Sequence, residues 1–220
     1  MSARYTATHT SLRTAAIMVL FTVVFTTVMS ATYNATRPAI EASAQQEKMR
    51  LIDEVLTPGS YDNALLDDYV DVGPTPQLGL TDGGRIYRAR RADAPAALVL
   101  EAIAPDGYAG RIQLVVAVSA DGHLTGVRAT GHRETPGLGD YIDPKKDRDK
   151  AHPWIGQFAG VSLDDVAPAQ WKVRRDGGHF AYRVGATISA RAVTHAAGRA
   201  LDYAVANRDA LFAAPAGSRL

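Results

Sequence analysis

Two short runs hold most of the residues in this chain that can do chemistry. The first is His132-Arg133-Glu134-Thr135-Pro136-Gly137-Leu138-Gly139-Asp140, and the second is Gly185-Ala186-Thr187-Ile188-Ser189. Pro136 and the two glycines beside it fold the first run back on itself. In the second, Gly185 and Ala186 leave little bulk ahead of the Thr187 and Ser189 hydroxyls, which stand where a helix begins. A helix N-terminus offers unpaired N–H groups and the positive end of the helix dipole, the donors a phosphate needs. The two runs together read as a site for a phosphate-bearing ligand. Neither specifies one alone, because Thr and Ser are favoured N-caps and Pro-Gly pairs punctuate ordinary turns.

The other reactive side chains form no second constellation. His132 adjoins the loop, either as a proton donor or acceptor for a ligand or as a structural histidine bonded to backbone. His9, His123, His152, His179 and His195 lack metal-ligand spacing, and Asp62, Asp67, Asp68 and Asp71 fit no calcium loop and read as a solvated helix face. No metal site is expected. Arg174, Arg175, Arg183 and Arg191 gather around the second run, and Arg191, nearest the helix start, is the one singled out to meet a phosphate. A hydrolase built on Ser189 or Thr187 would need a nucleophile elbow and an ordered histidine and acid; neither is present, and no catalytic residue is assigned.

Composition narrows the function further. A net charge of +1 argues against a nucleic-acid partner. With no cysteine there is no ordinary iron-sulfur cluster, disulfide or thiol couple, so any electron chemistry requires a bound cofactor.

The elements that must position these residues are legible in part. Ala15 to Ala31 carries no charge, and Thr32 and Tyr33 extend it to bilayer length, giving a transmembrane helix over 15–33. Arg4 and Arg13 precede it and no acid occurs before Glu41, which places residues 1–14 in the cytoplasm and the rest across the membrane. No A-x-A-like cleavage site follows closely, so the segment reads as a retained anchor. Residues 34–82 read as a stalk containing a helix over Pro38 to Leu56, ended by Thr57-Pro58-Gly59 and packing onto the domain. Strands are expected from near Arg85, at 97–102, 111–119 and 123–129, the last two joined by Ala120-Asp121-Gly122. Asp143 to Lys150 reads as an exposed loop. A second small sheet is expected from 170–174 and 180–184, and a final helix over 188–207 buries Val193, Ala197, Leu201 and Ala204. The domain then covers 83–207, residues 208–220 form a C-terminal tail, and the fold class is α+β, an antiparallel sheet with flanking helices behind a single N-terminal transmembrane helix.

On these residues, together with Gly107 to Ile112, Trp154 to Phe158 and Gly177 to Phe180, the chain resembles the G subunits of Rnf electron-transport complexes. More broadly it is similar to the FMN-binding domain shared with the C subunit of the sodium-pumping NADH:quinone oxidoreductase. In that family the FMN phosphate is esterified to the threonine ending a Ser/Thr-Gly-Ala-Thr motif, which falls on Thr187. The resemblance implies covalent FMN there, with Gly185, Ala186 and Ser189 at the phosphate end. Glu134, Thr135, Gly137 and Leu138 would contact the ring system, Leu138 on its face and Thr135 near its polar edge. It also implies an electron relay with partner subunits in an ion-translocating ferredoxin/NADH oxidoreductase, a flavin transferase for maturation, and a periplasmic domain on the bacterial inner membrane. The chain itself has no nicotinamide fingerprint and too little membrane span for a pump. The family's usual Asp and Ser/Thr ahead of the threonine, which guide the transferase, are replaced by Ala181 and Val184. Two other readings stay open: the C subunit or a related flavin-domain protein, and a membrane-anchored assembly or binding module whose flavin site has decayed.

Overall fold

The computed structural model describes residues 7–57 and 59–220 and shows two compact units, residues 1–48 and 49–220. Arg4 and Pro58, used in the sequence reading, lie outside the described residues.

The first unit is the greater part of one helix, α1 (Ala7–Asp53). Its segment His9–Ser43 is long and apolar enough to cross a membrane, with a mean hydropathy of 2.0. Thr22 bonds back to the Met18 carbonyl at 2.9 Å and Thr27 to that of Val23 at 2.7 Å, so these hydroxyls are satisfied without water. The separate helix expected from Pro38 does not exist: Pro38 lies inside α1. Its ring removes one main-chain bond but does not end the helix, which an Arg37–Glu41 pair at 2.7 Å spans at that point.

The second unit is built on a five-stranded antiparallel meander of β1 (Tyr69–Val72), β2 (Gly84–Arg91), β3 (Ala94–Gly107), β4 (Gly110–Ser119) and β5 (Leu124–Gly131), in that spatial order. The long helix α2 (Thr187–Ala213) follows. Alternation sets the two faces of the sheet. Leu98, Leu100 and Ala102 of β3 and Ile112, Leu114, Val116 and Val118 of β4 face a large core shared with Val193, Ala197, Leu201 and Ala204 of α2. Val99, Val115 and Ala117 point the other way, into a smaller cluster with Ile52, Val55 and Leu56. The chain that leaves α1 therefore covers the second face of the sheet.

Several expectations are corrected. Asp62 to Asp71 is no helix: β1 occupies its end, and Asp68 holds Arg88 and Arg90, at 2.7 and 2.8 Å, through their Nε atoms. Arg88 is buried and also bonds the carbonyls of Leu211 and Ala214, so this acid ties the sheet to the end of α2. The unit and its sheet thus begin before residue 83. Residues 170–184 hold short 3-10 turns and one isolated bridge, Val173 to Phe180, rather than a second sheet. Helix α2 continues past Asn207 to Ala213, and the tail pairs with β1, where Leu220 donates to the Asp71 carbonyl at 2.9 Å. Such cover protects an otherwise open sheet edge.

Candidate functional site

The loop after β5 turns at Thr135-Pro136-Gly137-Leu138. Pro136 supplies the fixed φ of the second turn position, Gly137 the positive φ of the third (+75°), and the Leu138 amide closes on the Thr135 carbonyl at 3.1 Å. Asp140 steadies the turn by accepting from the Gly137 amide at 2.9 Å. This turn carries Glu134 inward and leaves Leu138 55% exposed.

Glu134 is buried, and its carboxylate is fully engaged. One oxygen accepts from the Ala109 amide at 3.1 Å, and the other accepts from the Ser189 hydroxyl in the first turn of α2. The sequence expects Glu134 at the ring and Ser189 at the phosphate; the structure joins them to each other and so links the two runs. Gly139 makes the link possible, because a Cβ there would stand 2.5 Å from the Ser189 hydroxyl and 2.7 Å from the Glu134 carboxylate. His132 takes the structural option: its Nδ1 accepts from the Glu134 amide at 3.2 Å, which fixes the proton of the neutral ring on Nε2.

Helix α2 starts beside this pair. Its N-cap residue is Ala186, no side chain caps it, and no acid lies in its first turn. Thr187 and Ser189 are therefore not N-caps, and the amides at the positive end of the helix have no side-chain acceptor. Thr187 is 6% exposed, and its hydroxyl accepts from Arg175 Nη1 at 3.4 Å. Gly185 has φ +93°, with nothing within 4 Å of where a Cβ would be, so the approach to Thr187 is open.

Thr135, Leu138, Gly185, Ala186, Thr187 and Ser189 line one cleft with Glu134. Of the expected residues, only Gly137 is absent from its wall; its amide is turned to Asp140. The cleft holds about 240 Å³, below the ~300–1,000 Å³ usual for a site that encloses a small molecule. Tyr108, Gly139 and Ile188 also line the cleft. The Gly-Tyr-Ala-Gly turn stands out in the sequence, but nothing in it marks Tyr108 as a wall residue, since the β3–β4 hairpin alone brings it there.

A second layer fixes the segment ahead of Thr187. Tyr141, 3% exposed, donates from its hydroxyl to the Ala186 carbonyl at 3.2 Å and accepts from the Arg183 amide at 3.3 Å; burial pushes its pKa up to about 12. The Arg183 guanidinium lies 5.0 Å above the Tyr141 ring and pairs with Asp147. Asp147, expected in an exposed loop, is completely buried and accepts from the Trp154 amide at 2.7 Å and the Asp149 amide at 3.0 Å. A run of mixed charge conceals one structural carboxylate, and sequence alone does not reveal which. Arg191 does not face Thr187. It grips Asp176 with Nε and Nη2 at 2.6 and 2.9 Å and holds that carboxyl below its usual pKa range. Among the described residues no cluster of histidines and carboxylates fit for a metal occurs.

An uncapped helix start and the Glu134 to Leu138 loop in one cleft would suit a ligand that carries a phosphate and a flat ring. Residues 107–202 match the family model of the FMN-binding domain, and residues 1–55 match that of the RnfG N-terminal region. The chain is similar to the G subunit of the ion-translocating oxidoreductase complex of Pseudomonas aeruginosa (strain UCBPP-PA14), 47% identical over 173 residues, 78% of each chain. The corresponding protein from Escherichia coli (strain K12) is 45% identical over 166 residues, 76% of each chain. That from Shewanella baltica (strain OS223) is 39% identical over 176 residues, 80% of this chain and 81% of the relative. Identity of this level over three quarters or more of the chain, together with the two family-model matches, places the chain in the family of G subunits of ion-translocating oxidoreductase complexes.

Proposed function

We propose that this protein is a membrane-anchored electron carrier that holds FMN through a phosphoester to the Thr187 hydroxyl and relays electrons within an ion-translocating Rnf-type complex. The observation that carries the reading is a buried threonine hydroxyl at a helix start with no side-chain cap, in the same cleft as the Glu134 to Leu138 loop. FMN supplies the redox chemistry, accepting and passing on electrons singly or in pairs.

The chain's own residues supply position and environment. The α2 N-terminus presents amides to the phosphate, and the Glu134–Ser189 bond fixes the cleft floor. Thr135 and the exposed Leu138 would meet the ring, and the small cleft would leave part of it accessible to a partner carrier. No side chain is required as nucleophile or general base toward a substrate. A covalent tether keeps the group from being lost into a dilute compartment and fixes its position relative to neighbouring carriers.

In this reading the apolar segment of α1 lies in the bacterial inner membrane with the N-terminus cytoplasmic, and the unit from Met49 onward is periplasmic. Its partners are the other subunits of the complex, and a flavin transferase installs the FMN. Ala181 and Val184 stand where that enzyme's usual recognition residues would be. Val184 is 90% exposed, and the polar atoms at Ala181 that hold the segment are main-chain ones, bonded to Trp154 and Gln157 at 2.8 Å each. The replacements therefore leave the segment's geometry intact. Denaturing gel electrophoresis of protein from the native host tests the reading. A fluorescent flavin band that is lost in Thr187→Ala supports it, and a colourless wild-type band favours the assembly module with a decayed site.

A further inference from the structure

Four arginines surround the start of α2, and three are committed elsewhere. Arg174 donates to the His179 carbonyl at 3.2 Å, Arg183 is tied to Asp147, and Arg191 is tied to Asp176. Arg175 is the exception. Among the described residues it forms no ion pair, and its hydrogen bond is the one to Thr187, at 3.4 Å near the outer limit of such a bond. Its neighbour Asp176, the nearest carboxylate in sequence, is gripped by both arms of Arg191, and the Arg175 charge acts on it only through space.

We propose that Arg175 is the phosphate-binding cation of this site and sets its preference for a phosphorylated flavin. The assignment rests on the flavin reading of the cleft and adds to it the residue that recognises the phosphate. The guanidinium lies 3.4 Å from the Thr187 oxygen, and Thr187 is the first residue of α2, so a phosphate joined to that oxygen would have both the arginine fork and the first-turn amides near it. A lone guanidinium beside a buried hydroxyl gains little from a neutral oxygen and much more from an anion in the same place, because hydrogen bonds between charged groups are about twice as strong as neutral ones. The turn at Arg174–Asp176, closed by Gly177 at φ +80°, carries Arg175 to this position.

The test uses the full-length chain in detergent, produced without flavin transferase so that Thr187 is unmodified, and titrated with FMN and with riboflavin by flavin fluorescence. Riboflavin has the same ring and ribityl chain but no phosphate, so the ratio of the two affinities isolates the phosphate contact. Wild type is expected to prefer FMN. Arg175→Met should reduce that preference by about tenfold, the scale of one charge-assisted hydrogen bond, while riboflavin binding stays as it was. Arg175→Lys should restore part of the preference, since it keeps the charge without the fork, and Arg174→Met should leave it unchanged. Near-ultraviolet circular dichroism confirms the fold of each variant, and intact mass after co-expression with the transferase gives a second readout, a smaller flavin-loaded fraction in Arg175→Met. If Arg175→Met keeps the wild-type preference for FMN, the assignment to Arg175 is overturned and the flavin site stands. If wild type binds FMN no better than riboflavin, or binds neither, both are overturned.

Discussion

Replacing Gly139 by alanine should damage this protein more than replacing Gly137, the reverse of what backbone conformation alone suggests. Gly137 has φ +75°, and a Cβ there meets nothing within 4 Å, so Gly137→Ala suffers only the strain of a left-handed backbone, about 1 kcal/mol. At Gly139 the new methyl stands 2.5 Å from the Ser189 hydroxyl, 2.7 Å from the Glu134 carboxylate and 3.3 Å from Glu134 Cβ. Neither polar atom is the free end of a flexible chain. Ser189 is fixed in the first turn of a packed helix, and Glu134 is held by the Ala109 amide. Overpacking costs about 1–3 kcal/mol, and separating a buried carboxylate from its hydroxyl donor adds about 1.5–3 kcal/mol. Together these give roughly 2.5–6 kcal/mol, or a fall in melting temperature of about 5–24 °C for a unit of this size. Both tryptophans, Trp154 and Trp171, are buried in the Met49–Leu220 unit, so the fluorescence melt of the full chain reports this unit and not the anchor helix. A Gly139→Ala protein as stable as Gly137→Ala, or more so, would refute the packed Glu134–Ser189–Gly139 floor.

Three further outcomes follow from the same contacts. Asp147→Ala should lower stability by about 3 kcal/mol in urea titrations, because it leaves Arg183 and two amides without their buried acceptor, and it should loosen the segment ahead of Thr187 enough to raise amide exchange there. Gly198→Ala pushes a methyl to 2.9 Å from the Trp171 ring and should cost about 1–3 kcal/mol, with a change in tryptophan emission. Burial holds His195 below its ordinary pKa of 6.5, partly offset by Asp106 and reinforced by Arg199. The unfolded chain therefore takes up this proton first as pH falls. The stability His195 contributes is complete above pH 6.5 and is lost as pH drops from there through the folded pKa, so urea midpoints in that window should fall less in His195→Gln than in wild type.

What the sequence reveals and what it hides divide on physical lines. Alternation exposed β3, β4 and β5, and helical spacing exposed α2, because each signal repeats over many residues and is set by burial on one face. β1 escaped because it is four residues long and lies in a stretch of acids, one of which serves two buried or half-buried arginines far along the chain. Pro38 suggested a helix start where an apolar helix simply continues. At the site, glycines and hydroxyls pointed to a phosphate, and all of the expected residues except Gly137 do line the cleft. The partners did not follow. Arg175 in place of Arg191, the concealed Asp147 and the Glu134–Ser189 bond all depend on which way a side chain faces across long stretches of intervening chain, and local pattern does not carry that information.

The most direct test of the account is peptide-level mass spectrometry on protein from its native host, digested after unfolding and washing. The account predicts a peptide containing Thr187 that is heavier by one FMN less one water, with fragment ions assigning the addition to the Thr187 side chain. An unmodified Thr187 peptide at full abundance, or a flavin mapped to any other residue, would contradict it.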